Sequence, residues 1–144
     1  MTSKASFPLR IYYDASCPMC RSELHGLKSR DENDALELVD CSGPGFADPD
    51  LEQQGISVDT AMARIQARDA QGRWFNGVEV FELAYGATGL SRTAQVLGHP
   101  RLRPLLDRLY PLIARNRKWL SRLGLAPVLS KLLHRKRVNP TLKR

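Results

Sequence analysis

Long apolar runs are missing from this chain. The longest stretch free of Asp, Glu, Lys and Arg is nine residues, Leu83 to Ser91, well short of the roughly 18 that a membrane-spanning helix needs. The apolar stretch Phe7 to Tyr13 is short, is interrupted by Arg10 and runs straight into a cysteine motif, so it does not read as a secretory signal. From both features we expect a cytoplasmic protein made without export. Cysteine is scarce too: three residues are the wrong number for a disulfide framework, which a reducing compartment disfavours in any case. A second Cys-x-x-Cys or Cys-x-x-His knuckle, the usual mark of a closed zinc site, is absent. There is no internal repeat and no low-complexity tract. Trp74, Phe75 and Phe81 follow the pattern of core positions, so no aromatic platform for stacking nucleobases is in view, and nucleic acid is not an expected partner.

Acidic residues all but vanish after Pro100. Residues 101–144 hold thirteen Lys or Arg against one acidic residue, Asp107, whereas residues 1–100 hold nine against fourteen. A chain of 144 residues suffices for one domain with a real core plus an extension. We therefore expect a domain over 7–99 and a basic helical C-terminal extension over 100–144. Such charge asymmetry fits an extension that meets an anionic membrane surface or an acidic partner, with the protein peripheral to the membrane. It equally fits leucines packed on the body beneath a solvated face of arginines.

Leu9, Ile11 and Tyr13 alternate with Arg10, Tyr12 and Asp14, a period-two pattern that predicts a first strand. After Ala15-Ser16 the pattern turns helical. Pro18 suits a first helical turn, and Cys20, Leu24 and Leu27 fall at i, i+4 and i+7, so a helix is predicted from Pro18 to about Arg30. Ala35 to Cys41 predicts a second strand, ended by Ser42-Gly43-Pro44-Gly45, and Asp48-Pro49 starts a short helix through about Gln54. Ala63 to Asp69, the turn Gln71-Gly72 and Arg73 to Asn76 predict a β-hairpin, with a helix from about Val78 to Tyr85 after Gly77. Strand, helix, strand favours right-handed parallel pairing. The whole order predicts an α/β, thioredoxin-like fold: a four-stranded mixed sheet flanked by helices on both faces. Beyond Pro100, Leu102, Leu105, Leu106, Leu109, Leu112 and Ile113 lie at helical spacing, and Pro104, Pro111 and Pro127 are expected to cut the extension into separate helical pieces.

Cys17-Pro18-Met19-Cys20 stands where the first helix opens, and a helix N-terminus offers free N–H groups and a positive dipole end that stabilise a thiolate. Cys17 is thus expected to be the nucleophile, and Cys20, one turn on, the thiol that resolves a mixed disulfide formed at Cys17. Pro18 and Met19 bring no charge, so Arg10 and Arg21 are the electropositive neighbours to consider. Asp14 has two readings. It accepts N–H groups of the turn, as short Asp side chains do, or it carries a proton to and from Cys20; an ionised carboxylate near Cys17 opposes a thiolate there. Cys41 reads as a small buried hydrophobe, with a third redox thiol as the alternative. Cys17, Cys20, Cys41 and His25 also make up a Cys₃His donor set, which keeps zinc as an alternative for the pair. His99 and His134 carry no motif.

The segment Tyr13-Asp14-Ala15-Ser16-Cys17-Pro18-Met19-Cys20 resembles the Asp-x-x-Cys-x-x-Cys signature of the DCC family of thiol-disulfide oxidoreductases. The hairpin with Gly72 and Gly77, and Tyr110 followed by Ala114-Arg115-Asn116-Arg117, are similar to that family's later segments, so the likeness runs from about Arg10 to Leu123. The resemblance implies a thioredoxin-like fold and gives the signature positions to Asp14, Cys17 and Cys20. Ala15 departs from it, since the family often has Gly there. Unlike thioredoxins, the chain has no proline before the predicted third strand, where the sequence is Asp59-Thr60-Ala61-Met62-Ala63. That departure bears on the edge where thioredoxins dock peptides and on the shielding of the cysteines from metal.

Two functions follow. The first is a dithiol-disulfide exchanger acting through Cys17 and Cys20, with Asp14 at the turn, on a disulfide-containing protein or a small thiol, with no cofactor and no resident metal assigned. The second is a non-enzymatic binding module whose basic tail docks on an anionic membrane or partner, its cysteines holding zinc or being incidental.

Overall fold

Ten elements follow one another within residues 5–123, the part of the chain that the computed structural model describes. They are β1 (Leu9–Tyr13), α1 (Pro18–Lys28), β2 (Leu36–Asp40), α2 (Pro49–Gln54) and α3 (Val58–Ala63). After these come β3 (Gln66–Arg68), β4 (Trp74–Asn76), α4 (Val78–Ala87), α5 (Ser91–Leu97) and α6 (Arg103–Arg122). The sheet order is β2-β1-β3-β4. β2 runs parallel to β1, with Leu36 opposite Leu9 and Asp40 opposite Tyr13. β3 runs antiparallel to β1, and β4 antiparallel to β3, so Ala67 faces Ile11 on one side and Phe75 on the other. This four-stranded mixed sheet flanked by helices is a thioredoxin-like fold.

β1 is central and buries both faces. Leu9, Ile11 and Tyr13 belong to a core with Leu24 and Leu27 of α1 and Val80, Ala84 and Tyr85 of α4. Tyr12 faces the other way, into a second core with Cys41, Leu51 of α2 and Ala61 of α3, and stacks on Trp74 with ring centroids 5.7 Å apart. Helices on both sides make Tyr12 fully buried although it falls in the polar phase of the alternation. Its hydroxyl reaches a polar partner even so, donating to Asp48, whose carboxylate also accepts the N–H groups of Asp50 and Leu51 as the N-cap of α2.

Carboxylates shape two further turns. Asp31 accepts from the N–H groups of Ala35 and Leu36 and from Lys28, setting the chain into β2. Asp69 accepts from the N–H groups of Ser6, Gln71 and Arg73 and from the Arg73 guanidinium, closing the β3–β4 hairpin. Gly77 links β4 to α4 at φ +64, a backbone conformation that calls for glycine.

Three expectations are corrected. The third strand spans only Gln66–Arg68, because Ala63 ends α3, a helix capped by Ser57, whose hydroxyl accepts the Thr60 N–H. α5 lies where the sequence predicts no element; none of its residues is buried, and it carries little apolar periodicity. The extension is not cut at Pro104 or Pro111. Pro104 sits in the first turn of α6, where its missing N–H costs no bond, and the helix continues through Pro111. Pro127 and His134 lie outside the described residues. Among the described residues no helix is long and apolar enough to cross a membrane.

Candidate active site

The end of β1 sets the turn that carries the cysteines. Asp14 is buried, and its Oδ1 accepts the Ser16 N–H at 2.9 Å and the Ser16 hydroxyl at 2.5 Å, while the Cys17 N–H donates to the Asp14 carbonyl at 3.2 Å. A second carboxylate, Asp40 at the end of β2, accepts the N–H groups of Ala15 and Ser42, tying the two parallel strand ends together. Cys17 is the N-cap of α1 in an extended conformation, and Pro18 follows at the first helical position, where its fixed φ fits.

The exposure of the two cysteines is the reverse of what the roles expected from sequence require. Cys17 is 0% exposed, and its side chain takes no capping N–H bond. Cys20 is half-buried and forms part of a cavity wall. Arg10 spends its charge on Glu37 and Asp50, at 2.9 and 3.2 Å, with Asp48 nearby. Arg21 is exposed on α1. Cys41 lies in the second core, where burial above all, and then the carboxylates of Asp40, Asp48 and Asp14, outweigh a hydrogen bond at Tyr13 and push its thiol up to about 11. His25 is exposed, with its ring Nε2 3.0 Å from the Tyr13 hydroxyl. Among the described residues no three His, Cys, Asp or Glu side chains gather as metal ligands, so Cys17, Cys20, Cys41 and His25 do not form the Cys₃His set.

The cavity beside Cys20 has a volume of about 240 Å³. Met19, Cys20 and Glu23 of α1 form one side, Phe81 and Tyr85 of α4 another, and α6 closes it. Sequence reasoning passed over Glu23 and Tyr85. Glu23 follows Cys20 by three residues and therefore shares its helix face. The Tyr85 hydroxyl donates to the Glu23 carboxylate, and burial first, then that carboxylate, holds Tyr85 well above the ordinary tyrosine range. Tyr110 of α6 also borders the cavity and accepts the Ile65 N–H at 3.1 Å, while the Arg64 guanidinium lies 5.4 Å from the centre of its ring. The Ile65 carbonyl accepts from the Gly77 N–H at 3.1 Å, so both main-chain polar groups of the residue entering β3 are used within the protein.

An uncharacterized chloroplastic protein of Arabidopsis thaliana is 28% identical over 113 residues, which make up 78% of this chain and 52% of the relative. The chain thus spans about half the length of the curated relative it matches. No solved structure matches it significantly. The sequence profile of the DCC1-like thiol-disulfide oxidoreductases matches residues 11–123, from β1 through both cysteines to the end of α6, and the chain belongs to that family.

Proposed function

We propose that the protein exchanges two electrons with thiols and disulfides through the Cys17–Cys20 pair. The observation that carries this reading is Cys20 in a cavity wall, with Cys17 one helical turn before it at the N-cap of α1. Cys20 is the sulfur that an outside partner meets first; Cys17, fully enclosed, is the second sulfur, which forms and breaks the internal disulfide. Asp14 holds the turn between β1 and Cys17 through its bonds to Ser16. Titration of the purified protein in dithiothreitol redox buffers, followed by alkylation and mass, tests the reading. A reversible two-electron couple is expected, lost in both Cys17→Ser and Cys20→Ser. Treated with 2-hydroxyethyl disulfide, Cys17→Ser should accumulate a mixed disulfide at Cys20, and Cys20→Ser far less. Full turnover in both variants would remove the pair from the chemistry.

The outward face of α6 favours a second reading about place. Leu105, Leu112 and Trp119 stand seven residues apart and are 53%, 54% and 60% exposed. Arg108, Arg115 and Arg122 repeat at the same spacing and are exposed beside them. An apolar stripe flanked by arginines suits the interface of an anionic membrane. We propose that the protein works in the cytoplasm at the periphery of such a membrane. Vesicles containing phosphatidylserine should bind it and release it as salt rises; equal binding to neutral vesicles would contradict the electrostatic part.

A further inference from the structure

The cavity narrows the choice of redox partner, given the reading of Cys17 and Cys20 as the redox pair. Its wall is apolar apart from Cys20, three tyrosines and the carboxylates Asp14 and Glu23, and among the described residues no Lys, Arg or His contributes to it. An anionic thiol such as glutathione would lose its hydration there and find carboxylates in place of a cation. The volume of about 240 Å³ lies below the roughly 300–1,000 Å³ of pockets that enclose drug-sized ligands, so the occupant is compact.

A peptide substrate is disfavoured by a separate observation. Extended peptides dock on a sheet edge or a strand approach through main-chain hydrogen bonds. Ile65 borders the same cavity as Cys20, but its N–H is donated to Tyr110 and its carbonyl accepts from Gly77. The way in is apolar as well: Leu109 and Ile113 line the cavity yet remain 40% and 45% exposed, so the apolar wall runs out to the surface of α6.

We infer that this cavity binds the protein's redox partner, and that the partner is a compact, uncharged, apolar dithiol–disulfide couple of the kind formed by a dithiolane on a short aliphatic chain. With the pair oxidised, one thiolate of the bound dithiol attacks the Cys20 Sγ, the Cys17–Cys20 bond breaks, and Cys17 leaves as a thiolate and takes a proton. The second ligand thiol, deprotonated, attacks the mixed disulfide at the ligand sulfur, closing the dithiolane and releasing Cys20, which takes the second proton. Two electrons and two protons pass from ligand to protein, and the reverse direction balances in the same way.

The test is the rate at which thiols reduce the oxidised full-length protein, read by quenched alkylation. Dihydrolipoamide, dihydrolipoate and glutathione are compared, each rate divided by that thiol's rate with free 2-hydroxyethyl disulfide to remove intrinsic reactivity. Dihydrolipoate differs from dihydrolipoamide by carrying a carboxylate in place of an amide. Dihydrolipoamide should show saturation and a normalised rate at least roughly tenfold above both anionic thiols, the cost of bringing one unpaired charge toward the cavity. Ala114→Trp, which fills the cavity from α6, should bring the ratio down toward one. Should that variant misfold, the wild-type comparison still decides. Equal normalised rates, or a preference for glutathione, would overturn the ligand class while leaving the redox pair standing. Failure of every thiol to reduce the protein would overturn the redox reading, and the inference with it.

Discussion

Replacing Asp14 separates a carboxylate that shapes a turn from one that moves a proton. Asp14→Ala removes the acceptor of the Ser16 N–H at 2.9 Å and of the Ser16 hydroxyl at 2.5 Å. Ser16 is exposed, so both donors return to water and are not stranded. Two net hydrogen bonds at about 0.5–1.5 kcal/mol each give an expected loss of roughly 1–3 kcal/mol. Asp14→Asn keeps Oδ1 as an acceptor, and Asn supports the same turn, so its loss should stay under about 1 kcal/mol. Urea unfolding measures both, through midpoints at an unchanged m value. The reduction rate of the oxidised pair by dihydrolipoamide completes the comparison: Ala should slow it, and Asn should restore it to within about threefold of wild type. An Asn variant as stable as wild type but as slow as Ala would refute the turn account and require the carboxylate as an acid or base. Wild-type stability and rate in the Ala variant would refute it from the other side.

Asp69→Ala removes the acceptor shared by the N–H groups of Ser6, Gln71 and Arg73 and the Arg73 guanidinium, and should cost about 3 kcal/mol in urea unfolding. Burial acts to raise the Asp69 carboxyl, but its hydrogen bonds prevail and hold it below the ordinary carboxylate range. Its contribution is therefore complete above that range and fades as pH falls through the lowered folded value, so the stability gap between wild type and Asp69→Asn should narrow in acid; a widening gap would contradict this. Tyr110→Phe leaves the Ile65 N–H without its acceptor, and should cost about 1 kcal/mol and speed amide exchange at Ile65; unchanged protection there would count against the contact. Cys41, with its thiol pushed up to about 11, is only about one part in a thousand ionised at pH 8. Iodoacetamide should label Cys20 first in the native protein, and earlier labelling of Cys41 would contradict its burial.

What the sequence made legible was local. β1, α1, β2 and α2 each announce themselves within a few residues: an alternation, Pro18 before Cys20 and Leu24, an apolar run closed by glycines, and Asp48-Pro49. The misread elements are short and depend on distant partners. α3 has six residues, and its end, Met62-Ala63, merges in sequence with the alternation Arg64-Ile65-Gln66-Ala67 that leads into β3. Ser57 three residues before Thr60 is the signal that would have separated them. Tyr12 is buried because α2 and α3 cover the second face of the sheet, which no pattern within β1 records.

The same division runs through the site. The spacing of Cys17 and Cys20 is written in the sequence; which of the two borders a cavity is not, because the cavity at Cys20 is closed by residues of α6, some ninety positions away in the chain. Pro111 shows the conflict at one residue. It removes an N–H that the Asp107 carbonyl would otherwise accept, at a residue that is exposed. It also disfavours helical backbone at the residue before it, Tyr110. That residue accepts the Ile65 N–H and lies under the Arg64 guanidinium, contacts worth about 1 kcal/mol each. Together, at about 2 kcal/mol, they offset part of the roughly 3 kcal/mol that a proline inside a helix costs. The residue that a local rule marks as the weak point of α6 is the one by which α6 grips the approach to β3, and that grip offsets part of the proline's cost.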